Sequence, residues 1–407
     1  MKLLKQFNAL SLMIFYPPAI IFIITLLPLL FFFINIPGMR NLSFNMELNK
    51  LLIIYSIGCS LSFYISFKLS SKLKGVINFN SLLKYNNIRT ISYHNFERIV
   101  LTLTILGIIV LVLIILSSEG DKITKAIISG RSDANTRMSV LENREIPGYV
   151  RMFSALIPSA FILCTTLYWL FPGIHKKMRF LFLWVFVGLF MLIRSLYFMD
   201  RAPLLSAAIL IIYIIPQNIQ NKYRKIYIFS IALIFILFTI SSSYLGFLRK
   251  HEDSNIIVIF EYADLGIANA NIAISTNTNY TFGFSTILKP IDFIITKLNL
   301  FPDALPRANN AWIHNPGGNL LQMSYLDFGI FGFVIYILLG LISGYLYRML
   351  YKNINNLLSG WIYLWMLIGL LSSFAVPMFR GIEYWLSILI NLILFAIIKV
   401  QVVQKGK

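Results

Sequence analysis

The sequence has 407 residues, of which 58% are hydrophobic and 13% are charged, and its mean hydropathy is +0.77. So few charges cannot cover the surface of a soluble protein, where about 25% of residues are charged, and a set of soluble domains is excluded. The formal net charge of +19 would suggest nucleic-acid binding in a soluble protein, but in a membrane protein Lys and Arg collect in cytoplasmic loops.

Apolar segments long enough to cross a bilayer, which takes about 20 residues, recur along the whole chain. Pro17, Pro18 and Pro28 predict kinks in the first of them, which neighbouring helices must accommodate. The sequence therefore predicts an all-α, polytopic integral membrane protein with about ten transmembrane helices, forming a single membrane domain over residues 1–407. The predicted spans are Leu12–Ile34, Leu51–Phe67, Ile99–Ser117, Met152–Leu170, Phe180–Phe198, Pro203–Pro216, Ile226–Leu245, Phe328–Tyr347, Ser359–Phe379 and Tyr384–Ile398.

Basic residues are concentrated in alternate loops. One set holds 19 Lys and Arg and a single acid, and the other set, which is longer, holds 16 Lys and Arg and 15 acids. Because the denser set of Lys and Arg marks the cytoplasmic side, both termini are predicted to be cytoplasmic. This assignment puts a charge of +18 on the cytoplasmic face and leaves the outer face nearly neutral. The predicted cytoplasmic segments are 1–11, 68–98, 171–179, 217–225, 348–358 and the residues from 399 onward.

Two predicted outer loops, residues 118–151 and 246–327, are too long to be simple connections. In the second, residues 256–265 are predicted to form a helix, Asn269–Thr281 a polar turn-like segment, and Ile291–Leu300 a further helix. Loops of this length are usually functional or disordered, and the aromatic and aliphatic content favours a folded loop. We therefore expect the function to reside on the outer face.

Two arginines flank the short hairpin between the fifth and sixth spans. Arg194 lies near the outer end of the fifth span, and Arg201 opens the sixth in the sequence Asp200-Arg-Ala-Pro. An ionisable residue near a membrane span is costly and points to function, and the planar guanidinium matches phosphate oxygens. The alternative is that Arg201 pairs with Asp200 while Arg194 reaches the lipid headgroups.

A second group of charged residues comes from several outer loops, which must converge above the helices. Together they would provide cationic groups for an anion and a general base, either the histidine or a carboxylate. The alternative is an ordinary loop surface of mixed charge. The group comprises Arg249, Arg307, His314, Arg380, Glu261, Asp264, Asp327 and Glu383.

Arg137 and Gly148 enclose ten residues in the loop 118–151, and Arg307 and Gly318 show the same spacing in the longer loop. A sequence with 22 glycines produces such pairs by chance almost as often, so the spacing alone carries little weight. The sequence contains no Asp-x-Asp pair, P-loop, dinucleotide-binding motif or hydrolase elbow. We therefore expect neither a soluble nucleotide donor nor a bound metal or other cofactor.

Several stretches resemble the family of O-antigen polymerases, the Wzy-type oligosaccharide repeat-unit polymerases. Residues 315–336, which include the Gly-rich Asp327-Phe-Gly sequence, resemble the end of the large periplasmic loop and the helix that follows it in this family. Residues 200–205 resemble the Arg-containing start of a helix after a short outer turn, and residues 280–284 and 301–307 resemble the loop interior.

The resemblance implies a metal-independent glycosyltransferase of the bacterial inner membrane. Such enzymes transfer a growing polysaccharide from undecaprenyl diphosphate onto an undecaprenyl-diphosphate-linked repeat unit at the periplasmic face, in the biosynthesis of lipopolysaccharide. The implied partners are this lipid-linked oligosaccharide and membrane lipid, not nucleic acid, and a chain-length regulator is left open. Arginine-x10-glycine motifs occur in some members of the family.

The chemistry of this reaction assigns the charged residues to roles. A diphosphate leaving group gains negative charge in the transition state, which fixed arginines stabilise, and the acceptor hydroxyl needs a base. The diphosphate is assigned to Arg194, Arg201, Arg249, Arg307 and Arg380; the catalytic candidates are Glu261, Asp264 and His314; and the other loop candidates are Arg137, Asp327 and Glu383.

Two alternatives remain open. An O-antigen ligase, or another glycosyltransferase that uses a lipid-linked sugar, has a similar architecture and the same donor. A lipid-linked oligosaccharide flippase would instead place charged residues in the middle of the membrane and have short outer loops. The long outer loop and the nearly uncharged spans favour an enzyme.

Overall fold

The computed structural model describes residues 16–35, 42–72, 93–117, 150, 152–170, 178–197, 258–276, 279–284, 286, 288, 291, 319–352, 357–373 and 382–398. Within these ranges all regular secondary structure is helical, without any strand, as the sequence predicts. The helices are α1 (Pro17–Leu26), α2 (Lys50–Lys72), α3 (Tyr93–Leu116), α4 (Leu156–Leu170), α5 (Met178–Tyr197), α6 (Val258–Thr276), α7 (Leu320–Phe328), α8 (Phe333–Lys352), α9 (Leu357–Ser372) and α10 (Ile382–Ile398). Short 3-10 helices follow α1 (Leu27–Phe32), precede α4 (Met152–Ala155) and join α7 to α8 (Gly329–Gly332).

Each predicted span within the described ranges falls on a helix, whereas Pro203–Pro216, Ile226–Leu245 and, except for residue 150, the loop 118–151 lie outside them. Long apolar helices of this kind are compatible with a helical membrane protein. Shorter apolar helices lie at Pro17–Phe32, Phe153–Leu167, Gly360–Ser372 and Tyr384–Leu394. Among the described residues, four helical stretches are long and apolar enough to cross a membrane: Lys50–Ser71, His94–Leu116, Met178–Ser195 and Leu320–Arg348, the last of which runs from α7 through the 3-10 helix into α8.

The prolines of the first predicted span act in two ways. Pro28 follows the end of α1 and lies in the first turn of the 3-10 helix, where its missing N–H interrupts the α-helical hydrogen bonds. Pro17 and Pro18 do not kink a helix. They form the first turn of α1, where an N–H would have no intrahelical partner in any case.

The described chain divides into two compact units. The first comprises residues 1–76, 257–353 and 365–385, and its central contact is between α2 and α8. Glycines on α8 let the two backbones approach closely: a Cβ built on Gly340 would lie 2.6 Å from the carbonyl oxygen of Phe63, and one on Gly344 would collide with that of Phe67. Ser70 Oγ donates to the carbonyl oxygen of Leu341 at 2.7 Å. Small residues of this kind are typical of helices packed within a membrane.

The second unit comprises residues 77–256, 354–364 and 386–407, and in it α4 packs against α3 and α5. The α4–α5 contact uses stacked rings, since Phe161 and Trp184 lie 6.2 Å apart. The remainder of α5 presents large apolar side chains outward, for example Phe182, which is 70% exposed. An apolar face of this size would be unfavourable in water and suits contact with lipid.

Helix α6 confirms the helix predicted from residue 256, but it runs on to Thr276, so the turn-like prediction for 269–281 is wrong over its first half. Asn269 and Asn271 are buried there, and the hydrogen bonds of Asn271 to residues 47 and 49 compensate for its weak helix propensity. The predicted helix Ile291–Leu300 lies outside the described residues except for Ile291. Helix α7 occupies a stretch for which the sequence predicted loop.

Candidate functional site

Segments of two predicted outer loops meet at the end of α2 that begins with Lys50. The segment that leads into α2 hydrogen-bonds to α6, because the backbone N–H of Asn49 donates to Asn271 Oδ1 at 2.9 Å. The same side-chain amide donates from Nδ2 to the carbonyl oxygen of Glu47 at 2.9 Å. Because both polar atoms of the buried Asn271 amide are hydrogen-bonded to this segment, they fix its register against α6. Loops 35–50 and 246–327, which the charge pattern assigns to one side of the membrane, thus share one site in the first unit.

We call the segments gathered here the loop cluster; they are residues 42–50, α6, the segment around residues 281–286, and α7. Asp264 is the first of two buried carboxylates in this loop cluster. It is 1% exposed, and its oxygens accept hydrogen bonds from the backbone N–H groups of Leu42, at 2.7 Å, and Ser43, at 3.0 Å. Ser43 Oγ donates in turn to the carbonyl oxygen of Asp264 at 3.1 Å. Charge-assisted bonds of this kind are among the strongest in proteins. In this arrangement Asp264 ties residues 42–43 to α6.

Asp327, at the end of α7, is the second buried carboxylate of the loop cluster. It is fully buried, and its two carboxylate oxygens accept hydrogen bonds from the hydroxyls of Thr281 and Thr286. The backbone adds two more links, since the N–H groups of Thr281 and Phe282 donate to the carbonyls of Leu326 and Asp327, each at 2.9 Å. The carboxylate therefore fastens the segment from residue 281 to 286 onto α7.

The segment held by Asp327 carries a strained residue. Phe282 has φ +48°, a left-handed conformation that is unusual for a bulky side chain and is kept only where the surroundings enforce it. Its side chain is 62% exposed and lies edge-on to Phe328 at 6.4 Å. Gly329, at φ +59°, ends α7 where a Cβ would lie 2.7 Å from the ring of Tyr280. The turn 280–283 is thus held tightly against the end of α7.

Helix α7 is buried on all sides from Asn319 to Asp327. Its first turn is capped by Asn319, whose Oδ1 accepts from the backbone N–H of Gln322 at 2.8 Å. The backbone N–H of Leu320 donates to the carbonyl oxygen of Ser373, at the end of α9, at 2.9 Å. Further along, Ser324 Oγ and Tyr55 OH lie 2.9 Å apart. The segment around Asp327-Phe-Gly is therefore the packed centre of the loop cluster.

Arg194 is described within the second unit. It lies in the last turn of α5 and is 4% exposed. Its Nε donates to Ser154 Oγ, in the 3-10 helix before α4, at 3.2 Å. A buried guanidinium near a helix C-terminus is favoured by the helix dipole. The structure thus places Arg194 in the protein interior and not at the exposed headgroup level of the alternative interpretation.

The structure describes the other predicted site residues only in part or not at all. Glu261 lies in α6 and Glu383 in α10, but their side chains are outside what the structure describes. The remaining candidates lie outside the described residues altogether: Arg137, Arg201, Arg249, Arg307, His314 and Arg380. Among the described residues, no three His, Cys, Asp or Glu side chains come close enough to hold a metal ion.

Asp264 and Asp327 lie on helices α6 and α7, which pack against each other, and the structure adds residues that the sequence interpretation missed. Ser43, Thr281, Thr286 and Gln322 carry no motif of their own. The available signal was Asn319 before an apolar run, which is the pattern of a helix N-cap and would have located α7.

Comparison with known proteins gives no relative from which a function could be transferred. No family model matches the chain, and no curated protein and no solved structure matches it significantly.

Proposed function

We propose that this protein is an O-antigen polymerase of the Wzy type. It transfers a growing polysaccharide from undecaprenyl diphosphate onto an undecaprenyl-diphosphate-linked repeat unit. The observation that carries the proposal is the folded loop cluster at the Lys50 end of α2, in which buried Asp264 ties residues 42–43 to α6 and buried Asp327 ties Thr281 and Thr286 to α7. A buried carboxylate is costly unless it is hydrogen-bonded, and a simple connection between spans, which runs over the surface, would not require one.

The proposed topology has about ten transmembrane helices with the Lys- and Arg-rich loops in the cytoplasm. In the first unit, the predicted outer segments and the predicted cytoplasmic residue Lys68 lie at opposite ends of α2, as this topology requires. One end of α2 gathers residues 42–50 and α6, and the other end gathers Tyr16, Lys68 and Tyr347. Lys68 Nζ lies 5.7 Å from the ring of Tyr16, and clustered Tyr and Lys side chains are typical of a membrane interface. The loop cluster then faces the periplasm of a bacterial inner membrane.

The hydrogen bonds of the two buried carboxylates limit which residues can act as the base in the proposed site. Asp264 and Asp327 already accept hydrogen bonds on both oxygens, so we assign them to positioning the loop. The base that deprotonates or orients the acceptor hydroxyl is then Glu261 or His314. The diphosphate is bound by the arginines of the outer loops, Arg201, Arg249, Arg307 and Arg380, which stabilise the charge that develops as the glycosidic bond to phosphate breaks.

Deletion of the gene followed by gel electrophoresis of lipopolysaccharide tests the proposal. Loss of a polymerase leaves lipid A-core carrying a single repeat unit. Loss of a ligase leaves core without attached repeats, and loss of a flippase removes nearly all of them. A normal ladder in the deletion strain would contradict any of the three assignments, and complementation with the intact gene is the control.

Replacement of Arg201 by Ala tests the diphosphate site. We expect polymerisation to fall by 100-fold or more, since removing one oriented donor to a developing anion costs roughly that in rate, while the protein still accumulates in the membrane. The matched control is Arg179→Ala, at the predicted cytoplasmic start of α5. Wild-type chain lengths in the Arg201 variant would remove this residue from the site.

A further inference from the structure

The side-chain amide of Gln322 stands apart from the other polar groups of α7. Asn319 caps the helix, Ser324 Oγ donates to the carbonyl oxygen of Leu321 at 3.0 Å, and Asp327 accepts from two threonines. Gln322 is fully buried, yet within the part of the chain that the structure describes neither its Oε1 nor its Nε2 has a hydrogen-bond partner.

A buried amide without partners is destabilising, because both of its polar atoms have lost water and gained nothing in return. Such groups are rare in native proteins and each needs an explanation, such as a buried water molecule or a ligand. Asn391 in the second unit shows the usual situation. One of its atoms is unpaired, but its Nδ2 donates to Ser159 Oγ at 2.6 Å and to the carbonyl oxygen of Ser387 at 2.8 Å. Gln322 has no such compensation among the described residues.

We propose that Gln322 binds the sugar portion of the lipid-linked substrate, with Nε2 donating to, and Oε1 accepting from, a saccharide hydroxyl or acetamido group. This inference rests on the proposed function and specifies which part of the substrate reaches α7. A side-chain amide is both donor and acceptor, which matches groups that also donate and accept. A diphosphate only accepts and would leave Oε1 unpaired, and a polyprenyl tail would leave both atoms unpaired.

The position of Gln322 fits this role. The residue lies in the first turn of α7, the helix to which Asp327 fastens the turn 280–283 and against which α6 packs. Because the amide is buried from solvent, the sugar reaches it only when part of the chain that packs around α7 is displaced. Binding energy from the correct sugar then drives that displacement, which couples recognition to the arrangement of the loop.

The decisive variant is Gln322→Met, which keeps the volume and removes both polar atoms. We expect its thermal unfolding midpoint in detergent to equal or exceed that of the wild type, since an unsatisfied amide has been removed. We expect kcat/KM for extension of the purified undecaprenyl-diphosphate-linked repeat unit to fall by about tenfold or more, because the sugar group loses its partner. The matched control is Leu326→Met, one turn further along the same buried helix, which should leave both quantities near the wild-type values.

Two results would overturn the inference while leaving the proposed function intact. A clear drop in the unfolding midpoint of Gln322→Met, but not of Leu326→Met, would mean that the amide is bonded within the fold or to a buried water. Unchanged extension by Gln322→Met at an unchanged midpoint would mean that the amide does not touch the sugar. If the wild-type protein does not extend the repeat unit, the proposed function fails and this inference fails with it.

Discussion

The two buried carboxylates make the loop cluster sensitive to changes of single atoms. Thr286→Val removes one hydroxyl donor from Asp327 while keeping the side-chain shape. A hydrogen bond to a charged group contributes about 1.5–3 kcal/mol, so we expect a loss of stability of that order, seen as a lower thermal unfolding midpoint in detergent. Thr276→Val is the control, since Thr276 is exposed and bonds only to its own helix. Equal midpoints for the two variants would show that Thr286 does not support the carboxylate.

Asp264→Asn separates an anchoring role from a catalytic one. The carboxylate accepts from two backbone N–H groups, whereas an amide offers one acceptor oxygen and turns a donor toward the second N–H. We expect a loss of about 1–3 kcal/mol in stability and a parallel loss of polymerisation. Glu47→Gln, at an exposed position of the same segment, should change neither. A variant that keeps its unfolding midpoint but loses all activity would instead identify Asp264 as the base.

At the scale of the helices, the α2–α8 contact depends on glycine. A Cβ on Gly340 would lie 2.6 Å from the carbonyl oxygen of Phe63, whereas one on Gly58, on the same pair of helices, would meet nothing within 4 Å. We therefore expect Gly340→Ala to destabilise the protein by about 1–3 kcal/mol through overpacking. Gly58→Ala should be neutral, or stabilising by up to about 1 kcal/mol because alanine loses less backbone entropy in a helix. Thermal unfolding in detergent measures the change in stability of each variant. Equal changes for Gly340→Ala and Gly58→Ala would contradict this account of the contact.

The long apolar helices could be predicted from the sequence because their signal is contained within each segment. Leu51–Phe67, for example, needs only its own hydropathy to be recognised, and it lies within α2. Helix α7 could not be recognised in this way, since it has nine residues, fewer than a span, and its burial depends on partners such as Ser373 that are distant in the chain.

The same physical limit explains what the sequence could say about the site. Asp264 and Asp327 could be singled out as charged residues in an outer loop, but their partners could not. Asp264 binds backbone N–H groups 222 and 221 residues away, and a backbone amide has no signature in a sequence. Gln322 gave no signal at all, because an unpaired amide is a property of its surroundings.

At the scale of the whole molecule, the charge of +19 is informative about orientation and not about the reaction. Most of it lies in the loops predicted to be cytoplasmic, because Lys and Arg resist transfer across the membrane during insertion. The loops predicted to be outer are nearly neutral, so the chemistry proposed there depends on where individual arginines lie. This view can be tested without any assay of the reaction.

Single cysteines in a Cys59→Ala, Cys164→Ala background test the orientation. Both native cysteines are buried, and buried cysteines act as small hydrophobes that alanine can replace. Phe44→Cys lies in the segment that Asp264 ties to α6, and Met178→Cys lies at the start of α5. The native side chains at these positions are 41% and 65% exposed. In intact spheroplasts we expect a membrane-impermeant maleimide to label residue 44 but not residue 178, and to label both after permeabilisation. The reverse pattern would place the loop cluster in the cytoplasm, away from the periplasmic lipid-linked repeat units, and the proposed function would fall with the orientation.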